Sequence, residues 1–266
     1  MNDDFLPAVI QLAHEAGAAI MQVYQSDFAV EHKDDQSPLT EADLAAQRVI
    51  SQGLRDLCPE LPLISEECEL APYTERKCWQ RYWLVDPLDG TREFVKRNDE
   101  FSINIALIDH GQPVLGVVYA PALDLCYYAN RQGAYKQQSG MPPQRIHARH
   151  LDLGNITIAA SRAHPGQKIQ AMLRHISSQH GAPQIINMGS SLKICLVAEG
   201  KADMYPRLGL TAEWDTAAAQ CILEQAGGKL VDRHGLRLYY NRKDTILNPE
   251  FFARGATVHD WNQYLE

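Results

Sequence analysis

The chain has 266 residues, 45% hydrophobic and 22% charged, an ordinary balance for a globular protein with room for one large core or two packed subdomains. Its formal net charge of −8 argues against wrapping nucleic acid, which needs a basic face, yet does not exclude a small anionic substrate, because bound cations reverse the local sign of a site. The N-terminus Met1-Asn2-Asp3-Asp4-Phe5 is acidic where a secretory leader is basic, no apolar run approaches bilayer-spanning length, and six scattered cysteines contain no Cys-x-x-Cys pair, so a cytoplasmic, reducing setting is expected.

Phe5, Val9, Leu12, Ala16, Ile20 and Val23 recur at helical spacing and predict an amphipathic first helix of about five turns. The stretch from Glu31 to Pro38 is polar, lacks periodicity and contains a helix breaker, which predicts a mobile loop. A second helix should begin near Thr40, with Ala46, Val49, Ile50, Gly53, Leu54 and Leu57 as its buried stripe and Thr40-Glu41-Ala42-Asp43 as a capping box. From Leu63 the rhythm becomes that of strands: Leu63-Ile64, Tyr82–Val85, and Ser102–Ile108, which turns at Asp109-His110-Gly111-Gln112 into Val114–Tyr119 as a hairpin. Short strands near Leu125–Ala129 and Ala134–Lys136 extend the same sheet.

Beyond a polar junction around 138–152, strands at Thr157–Ala160, Gln184–Asn187, Ala202–Tyr205 and Lys229–Val231 alternate with helices at about 166–179, 190–199 and 215–226. Such alternation predicts an α/β half with a largely parallel sheet. The expected division is therefore an α+β subdomain over 1–150, with a mainly antiparallel sheet, and an α/β subdomain over 151–266.

Chemistry concentrates in Asp86-Pro87-Leu88-Asp89-Gly90-Thr91. Two carboxylates three residues apart flank a rigid Pro and are hard oxygen ligands for a small divalent cation, while the Gly-Thr pair offers N–H groups where a turn feeds a helix. The spacing separates this hexapeptide from the Asp-x-Asp-Gly-Thr of haloacid dehalogenase-type phosphatases, whose first Asp is a covalent nucleophile. Asp86 and Asp89 read better as metal ligands, with no side-chain nucleophile required. Glu66-Glu67, Asp43 and Asp215 each have a plain explanation when taken alone, as a surface pair, a capping residue and a helix N-cap.

Together and in order, Ser65-Glu66-Glu67, Asp86 to Thr91 and Trp214-Asp215 resemble the inositol monophosphatase superfamily over almost the whole chain. Four further segments resemble its bacterial 3′(2′),5′-bisphosphate nucleotidase branch: Thr91-Arg92-Glu93-Phe94, Ser161-Arg162-Ala163-His164, Gly189-Ser190-Ser191-Leu192-Lys193 and Tyr205-Pro206-Arg207. The resemblance implies an αβαβα layered sandwich with the site between the halves, most metal ligands in the first, and Asp215 and the substrate pocket in the second. Glu66, Asp86, Asp89, Asp215 and the carbonyl of Leu88 are implied as ligands of two or three magnesium ions. Asp43 and Thr91 are implied to orient and deprotonate the attacking water.

The cleaved phosphate is expected on the N–H groups of Gly90 and Thr91, bordered by Glu66, Leu88, Asp89 and Asp215. By the same resemblance Ser161 and His164 line the nucleotide pocket, Gly189 and Ser190 its phosphate and ribose surroundings, and Lys193 and Arg207 the retained 5′-phosphate. Lys193 as a solvated helix residue, and His164 as a cap on the helix near Pro165, remain open readings. The implied reaction is hydrolysis of adenosine 3′,5′-bisphosphate to AMP and phosphate, and of its phosphosulfate relative, in sulfate assimilation, with inhibition by lithium.

Inositol monophosphate or a sugar bisphosphate stays open as the substrate, since Glu213 lies near Arg207 in sequence. A catalytically silent metal- or nucleotide-binding regulator is a rival, against which the intact set Asp43, Glu66, Asp86, Asp89, Thr91 and Asp215 counts. The loop containing Lys33 is expected to fold over bound metal and substrate, and the interval Cys68–Gln80 has no assigned role. The partner implied is a small nucleotide bisphosphate, with no nucleic acid and no transmembrane segment. Peripheral contact with the cytoplasmic face of the inner membrane and the oligomeric state stay open.

Overall fold

The first two helical stripes form helices as predicted, α1 (Leu6–Tyr24) and α2 (Glu41–Leu57), and each buries its apolar face. They approach closely because Gly53 carries no side chain: a Cβ there would lie 2.4 Å from a Leu12 methyl. This computed structural model describes residues 5–26, 30–32, 38–162 and 166–265. Between the helices, β1 (Val30–His32) and β2 (Pro38–Thr40) pair as an antiparallel ribbon, so the ends of the stretch expected as a loop are strands. Three-residue strands, one headed by Pro38, are too short to show a period of two. Lys33 lies outside the described residues.

The chain then builds a sheet in sequence order: β3 (Leu63–Ser65), β4 (Arg81–Asp89), β5 (Ser102–Asp109), β6 (Gln112–Ala120), β7 (Leu125–Asn130), β8 (Gly133–Gln138) and β9 (Gln144–Arg145). All its neighbours are antiparallel except β3 and β4. Two short helices interrupt this run, α3 (Tyr73–Arg76) before β4 and α4 (Thr91–Val95) after it.

The second sheet has the order β11-β10-β12-β14-β13, from β10 (Thr157–Ala160), β11 (Gln184–Asn187), β12 (Met204–Arg207), β13 (Lys229–Asp232) and β14 (Phe251–Arg254). Helices α5 (Gln167–His180), α6 (Leu192–Ala198) and α7 (Ala217–Gln225) connect its strands. β10 runs parallel to β11 and β12, but β14 is antiparallel to both β12 and β13. The sheet is thus mixed where a largely parallel one was expected. The unanticipated strand is Phe-Phe-Ala-Arg, a four-residue run after an aperiodic stretch, which carries no alternation to announce it.

The elements stack in αβαβα order. Helices α1 and α2 cover one face of the large sheet, where Trp83, Val85, Ile103 and Val117 join their apolar stripes in one core. Helices α6 and α7 fill the space between the sheets, with Leu84, Ala106 and Val118 on one side and Tyr205, Leu230 and Ala253 on the other. Helix α7 lies so close to β6 that a Cβ on Gly116 would come 2.3 Å from the Ala218 carbonyl oxygen. Helix α5 and a 3₁₀ turn, Trp261–Tyr264, cover the outer face of the small sheet through Met172, Ile176 and Trp261. Among the described residues no helix is long and apolar enough to cross a membrane.

Candidate active site

Strand β4 lies between β3 and β5 and does not stop at Val85; it continues through Asp86-Pro87-Leu88-Asp89. Pro87 has no N–H for the ladder, and the register with β5 shifts between Asp86 and Asp89. The carboxylate of Asp86 accepts the freed N–H of Leu88 at 3.0 Å. Gly90 then takes φ +90, and a Cβ there would press on the Glu100 carbonyl oxygen at 3.3 Å, so the turn into α4 requires glycine.

Three elements deliver carboxylates to this strand end. Glu66 follows β3, Asp86 is on β4, and Asp215 ends a 3₁₀ turn, Glu213–Asp215, from the second half. One oxygen from each of Glu66, Asp86 and Asp215 falls within 4.8 Å of the others. Burial, and after it the charges of Glu66, Asp89 and Asp215, push the Asp86 carboxyl well above the usual range. Asp215 is raised in the same way by burial and by Asp89, although its carboxylate also accepts the Ala212 N–H at 2.9 Å. A crowded set of carboxylates that repel one another, Asp86 buried and Glu66 and Asp215 partly so, suits a hard divalent cation, whose charge removes the repulsion.

Asp89 is held differently. Its Oδ2 accepts the N–H of Ser191 and, at 3.4 Å, the amide of Asn104; Ser191 Oγ donates to Asn104 Oδ1 at 2.7 Å and lies 3.1 Å from Ser102 Oγ. Burial raises the Asp89 carboxyl to about 6, against the opposing pull of Lys193 and the Ser191 N–H. Its geometry is set before any ligand arrives.

Asp43 carries two roles on two oxygens. Oδ2 accepts the Thr40 N–H at 2.8 Å and the Thr40 hydroxyl at 2.7 Å, the capping box at the start of α2, while Oδ1 lies 3.3 Å from Thr91 Oγ1. The Thr91 hydroxyl is equally near the Leu88 carbonyl oxygen, also 3.3 Å away. Asp43 and Asp86 are each 1% exposed. One turn further along α2, Gln47 Oε1 accepts the Ser65 hydroxyl at 2.6 Å, tying α2 to the residue that precedes Glu66.

A cavity of about 650 Å³ opens from this cluster and is lined by Asp89, Gly90, Ser161, Ser190, Lys193, Arg207 and Asp215. These are seven of the residues proposed from sequence. Lys193 is buried rather than solvated; its ammonium donates to the Ser190 carbonyl at 2.6 Å and lies 5.4 Å from the centre of the Tyr205 ring. Burial lowers it to about 8, and Asp89 pulls the other way. Arg207 donates to the Leu210 carbonyl at 2.6 Å. Gly189 is buried, does not line the cavity, and gives its N–H to Glu100 Oε2 at 2.9 Å; a Cβ on it would lie 2.4 Å from the Glu100 carbonyl oxygen. His164 lies outside the described residues.

Several residues at the site had no role assigned from sequence, although Arg92 and Arg162 stand in segments that carry the resemblance. Glu100 binds both Gly189 and the guanidinium of Arg162, which also lines the cavity together with Arg92 and Lys96. Asn104 was detectable in principle, as a polar residue inside the apolar run Ile103-Asn104-Ile105 on a strand buried on both faces. Glu100, in an irregular polar stretch with positive φ at Arg97 and Asp99, leaves no such mark.

The profile of the inositol monophosphatase family matches residues 1–264 of the chain. The chain is 49% identical over 248 residues to the 3′(2′),5′-bisphosphate nucleotidase CysQ of Salmonella typhimurium strain LT2, covering 92% of this chain and 98% of that protein. It is 48% identical to the enzyme of the same name from Escherichia coli strain K12, with the same coverage. Among solved structures, that of CysQ from Bacteroides thetaiotaomicron, described as a bacterial member of the inositol monophosphatase family, superposes with a TM-score of 0.81 at 37% identity, covering 94% of this chain and 97% of that one. By profile, by sequence and by fold, the chain belongs to the inositol monophosphatase family.

Proposed function

We propose that the protein is a magnesium-dependent 3′(2′),5′-bisphosphate nucleotidase that hydrolyses adenosine 3′,5′-bisphosphate to AMP and phosphate and accepts the 5′-phosphosulfate relative. The observation that carries this reading is that Asp89 and Asp215 line the same cavity as Lys193 and Arg207. A substrate with two phosphates then finds a cation-binding end for the group to be cleaved and a basic end for the group to be kept. The 49% identity to a nucleotidase of that name supports the choice of substrate.

Glu66, Asp86 and Asp215, with Asp89 and the Leu88 carbonyl, are the groups assigned to hold the metal. Magnesium bound there, two or three ions per site in this reading, supplies charge neutralisation at the phosphate and a water of lowered pKa. The remaining work belongs to the chain. Thr91 Oγ1 takes a proton from the attacking water while passing its own to Asp43 Oδ1, 3.3 Å away, and the second Asp43 oxygen stays anchored on Thr40. The water oxygen bonds to phosphorus as the bond to the ribose 3′-oxygen breaks. The 3′-oxygen takes a proton from solvent to become the hydroxyl of AMP, and Asp43 returns its proton to solvent through Thr91. Gly90 and Thr91 offer N–H groups to the phosphate, and Ser161 and Ser190 border the nucleoside. Lys193 and Arg207 hold the 5′-phosphate, Arg207 through the paired donors of its guanidinium. Residues 1–150 and 151–266 act in this scheme as two subdomains that meet at the cavity, and the substrate is a small molecule taken from solution.

Initial rates on adenosine 3′,5′-bisphosphate, inositol 1-phosphate and fructose 1,6-bisphosphate, with magnesium and with lithium added, test the reading. The expected result is a preference for the adenosine substrate of about tenfold or more in kcat/KM, corresponding to one retained charge-assisted contact, and inhibition by lithium. A preference for inositol phosphate reverses the assignment within the family.

A further inference from the structure

The interval Cys68–Gln80 looks inert in sequence, but it buries an arginine. Arg76, the last residue of α3, is 1% exposed and sends its guanidinium into the turn that follows Tyr240. One nitrogen donates to Asn241 Oδ1 and, at 3.2 Å, to the Lys243 carbonyl; the other donates to the Asp244 carbonyl. Asn241 returns the contact by donating its side-chain amide to the Arg76 carbonyl at 2.5 Å. A planar fork with several fixed donors suits such a set of backbone and amide oxygens, and no other side chain type presents one.

The same turn holds the Glu213–Asp215 segment. Asn241, at φ 55, gives its backbone N–H to Glu213 Oε2 at 2.7 Å, and the Lys243 ammonium lies 3.9 Å from Glu213 Oε1. Glu213 is itself 1% exposed and donates its N–H to the Ile246 carbonyl at 2.9 Å. Further along, Asn248 donates to the Ala212 carbonyl at 2.7 Å and to Thr216 Oγ1 at 3.0 Å. The residues on either side of Asp215 are thus fastened to the stretch 241–248, and Arg76 fastens its first four residues, which hold the Glu213 carboxylate.

We propose that Arg76 is a positioning residue for the cation site. It locks the 241–244 turn, the turn locks Glu213, and Glu213 sets where the Asp215 carboxylate stands when it meets Glu66 and Asp86. The first and second halves of the chain each supply part of that carboxylate group, so a clasp between them governs how well the group closes on a cation. The inference rests on the reading of Glu66, Asp86 and Asp215 as metal ligands, and it assigns the 68–80 interval a function.

The test is Mn²⁺ binding to the intact protein, followed by electron paramagnetic resonance of the free ion, beside steady-state kinetics. Arg76→Met is expected to raise the Mn²⁺ Kd about tenfold, a loss typical of a support behind a metal ligand. KM for adenosine 3′,5′-bisphosphate at saturating metal should change less than about twofold, since the nucleotide end is untouched, and Arg76→Lys should recover part of the affinity. In an Asp215→Asn background, Arg76→Met should produce no additional loss, because the route runs through Asp215. Asn241→Gly keeps a backbone able to hold φ 55 while removing the amide; it carries the same expectation if Arg76→Met does not fold. An unchanged Mn²⁺ Kd in a folded variant with a lowered Tm overturns the proposal and leaves Arg76 a packing residue, as does an equal loss of affinity in both backgrounds. Wild-type protein whose Mn²⁺ binding is indifferent to Glu66→Gln and Asp86→Asn would instead remove the metal-ligand reading beneath it.

Discussion

The acidic end of the cavity is assembled from short side chains at the end of β4 and on the Glu213–Asp215 turn, whereas its basic end uses long side chains from β12 and from the start of α6. Asp86 is buried and tied to the Leu88 N–H, and Asp89 is tied to Ser191 and Asn104. Neither has freedom left to lose when a ligand binds. Arg207 is partly exposed and rests on a backbone carbonyl, and the neighbouring Arg162 is 54% exposed outside its pairing with Glu100. Lys193 is buried and held on the Ser190 carbonyl, so Arg207 is the more adaptable cation. In the proposed scheme rigid carboxylates would fix the reacting geometry, where small displacements cost rate, and Arg207 would tune the hold on substrate, where displacements cost affinity. Turnover and KM should therefore fail separately when each end is damaged.

The largest effect is expected at the acidic end. Asp89→Asn should lower kcat at saturating magnesium by at least about a hundredfold, as loss of a group that stabilises transition-state charge does. Near-normal turnover, measured in the same assay, removes Asp89 from the ligand set. Thr91→Val should lower kcat by about a hundredfold, with little change in KM, because it deletes the hydroxyl between water and Asp43. Asp43→Ala makes a sharper comparison: a similar loss of kcat should come with about 1 kcal/mol of lost stability, since it also deletes the acceptor of the Thr40 N–H in the capping box of α2. Equal Tm for the Thr91 and Asp43 variants would show that the cap contributes nothing measurable. At the basic end, Arg207→Gln should raise KM for adenosine 3′,5′-bisphosphate about tenfold while leaving kcat within about a factor of three. A loss confined to kcat would mean that Arg207 serves the reacting phosphate instead of the retained one.

The same division explains which parts of the molecule the sequence could express. α1, α2 and β5 to β7 follow from periodicity because one face, or both, must be buried along most of their length. Asp86 and Asp89 were legible from the hexapeptide that ends an apolar run, whereas Glu66, Asp43 and Asp215 were legible only through the family resemblance. What stayed hidden depends on contacts between distant segments. Glu100 reaches Gly189 and Arg162, Arg76 reaches residues 241–244, and β14 pairs with strands on either side of it; none of these leaves a local pattern. Lys193 shows the limit from the other side, since helical spacing alone left it free to face water and only the packing of α6 between two sheets buries it.

The smallest expected effect separates function from stability at the acidic end itself. Burial and the neighbouring carboxylates raise Asp86 and Asp215 well above their usual range, so without a cation the folded state carries a repulsion that the unfolded chain does not. Asp86→Asn removes one of those charges while keeping an oxygen that can still accept the Leu88 N–H. In the presence of a chelator at neutral pH the variant should therefore melt slightly above the native protein, although it has lost activity when magnesium is restored. Magnesium should raise the Tm of the native protein and move that of the variant much less, as expected when a ligand binds only the folded state. If the chelated variant instead melts below the native protein, the Asp86 carboxylate is stabilising without a metal, and the cluster would have to be described as a satisfied structural network.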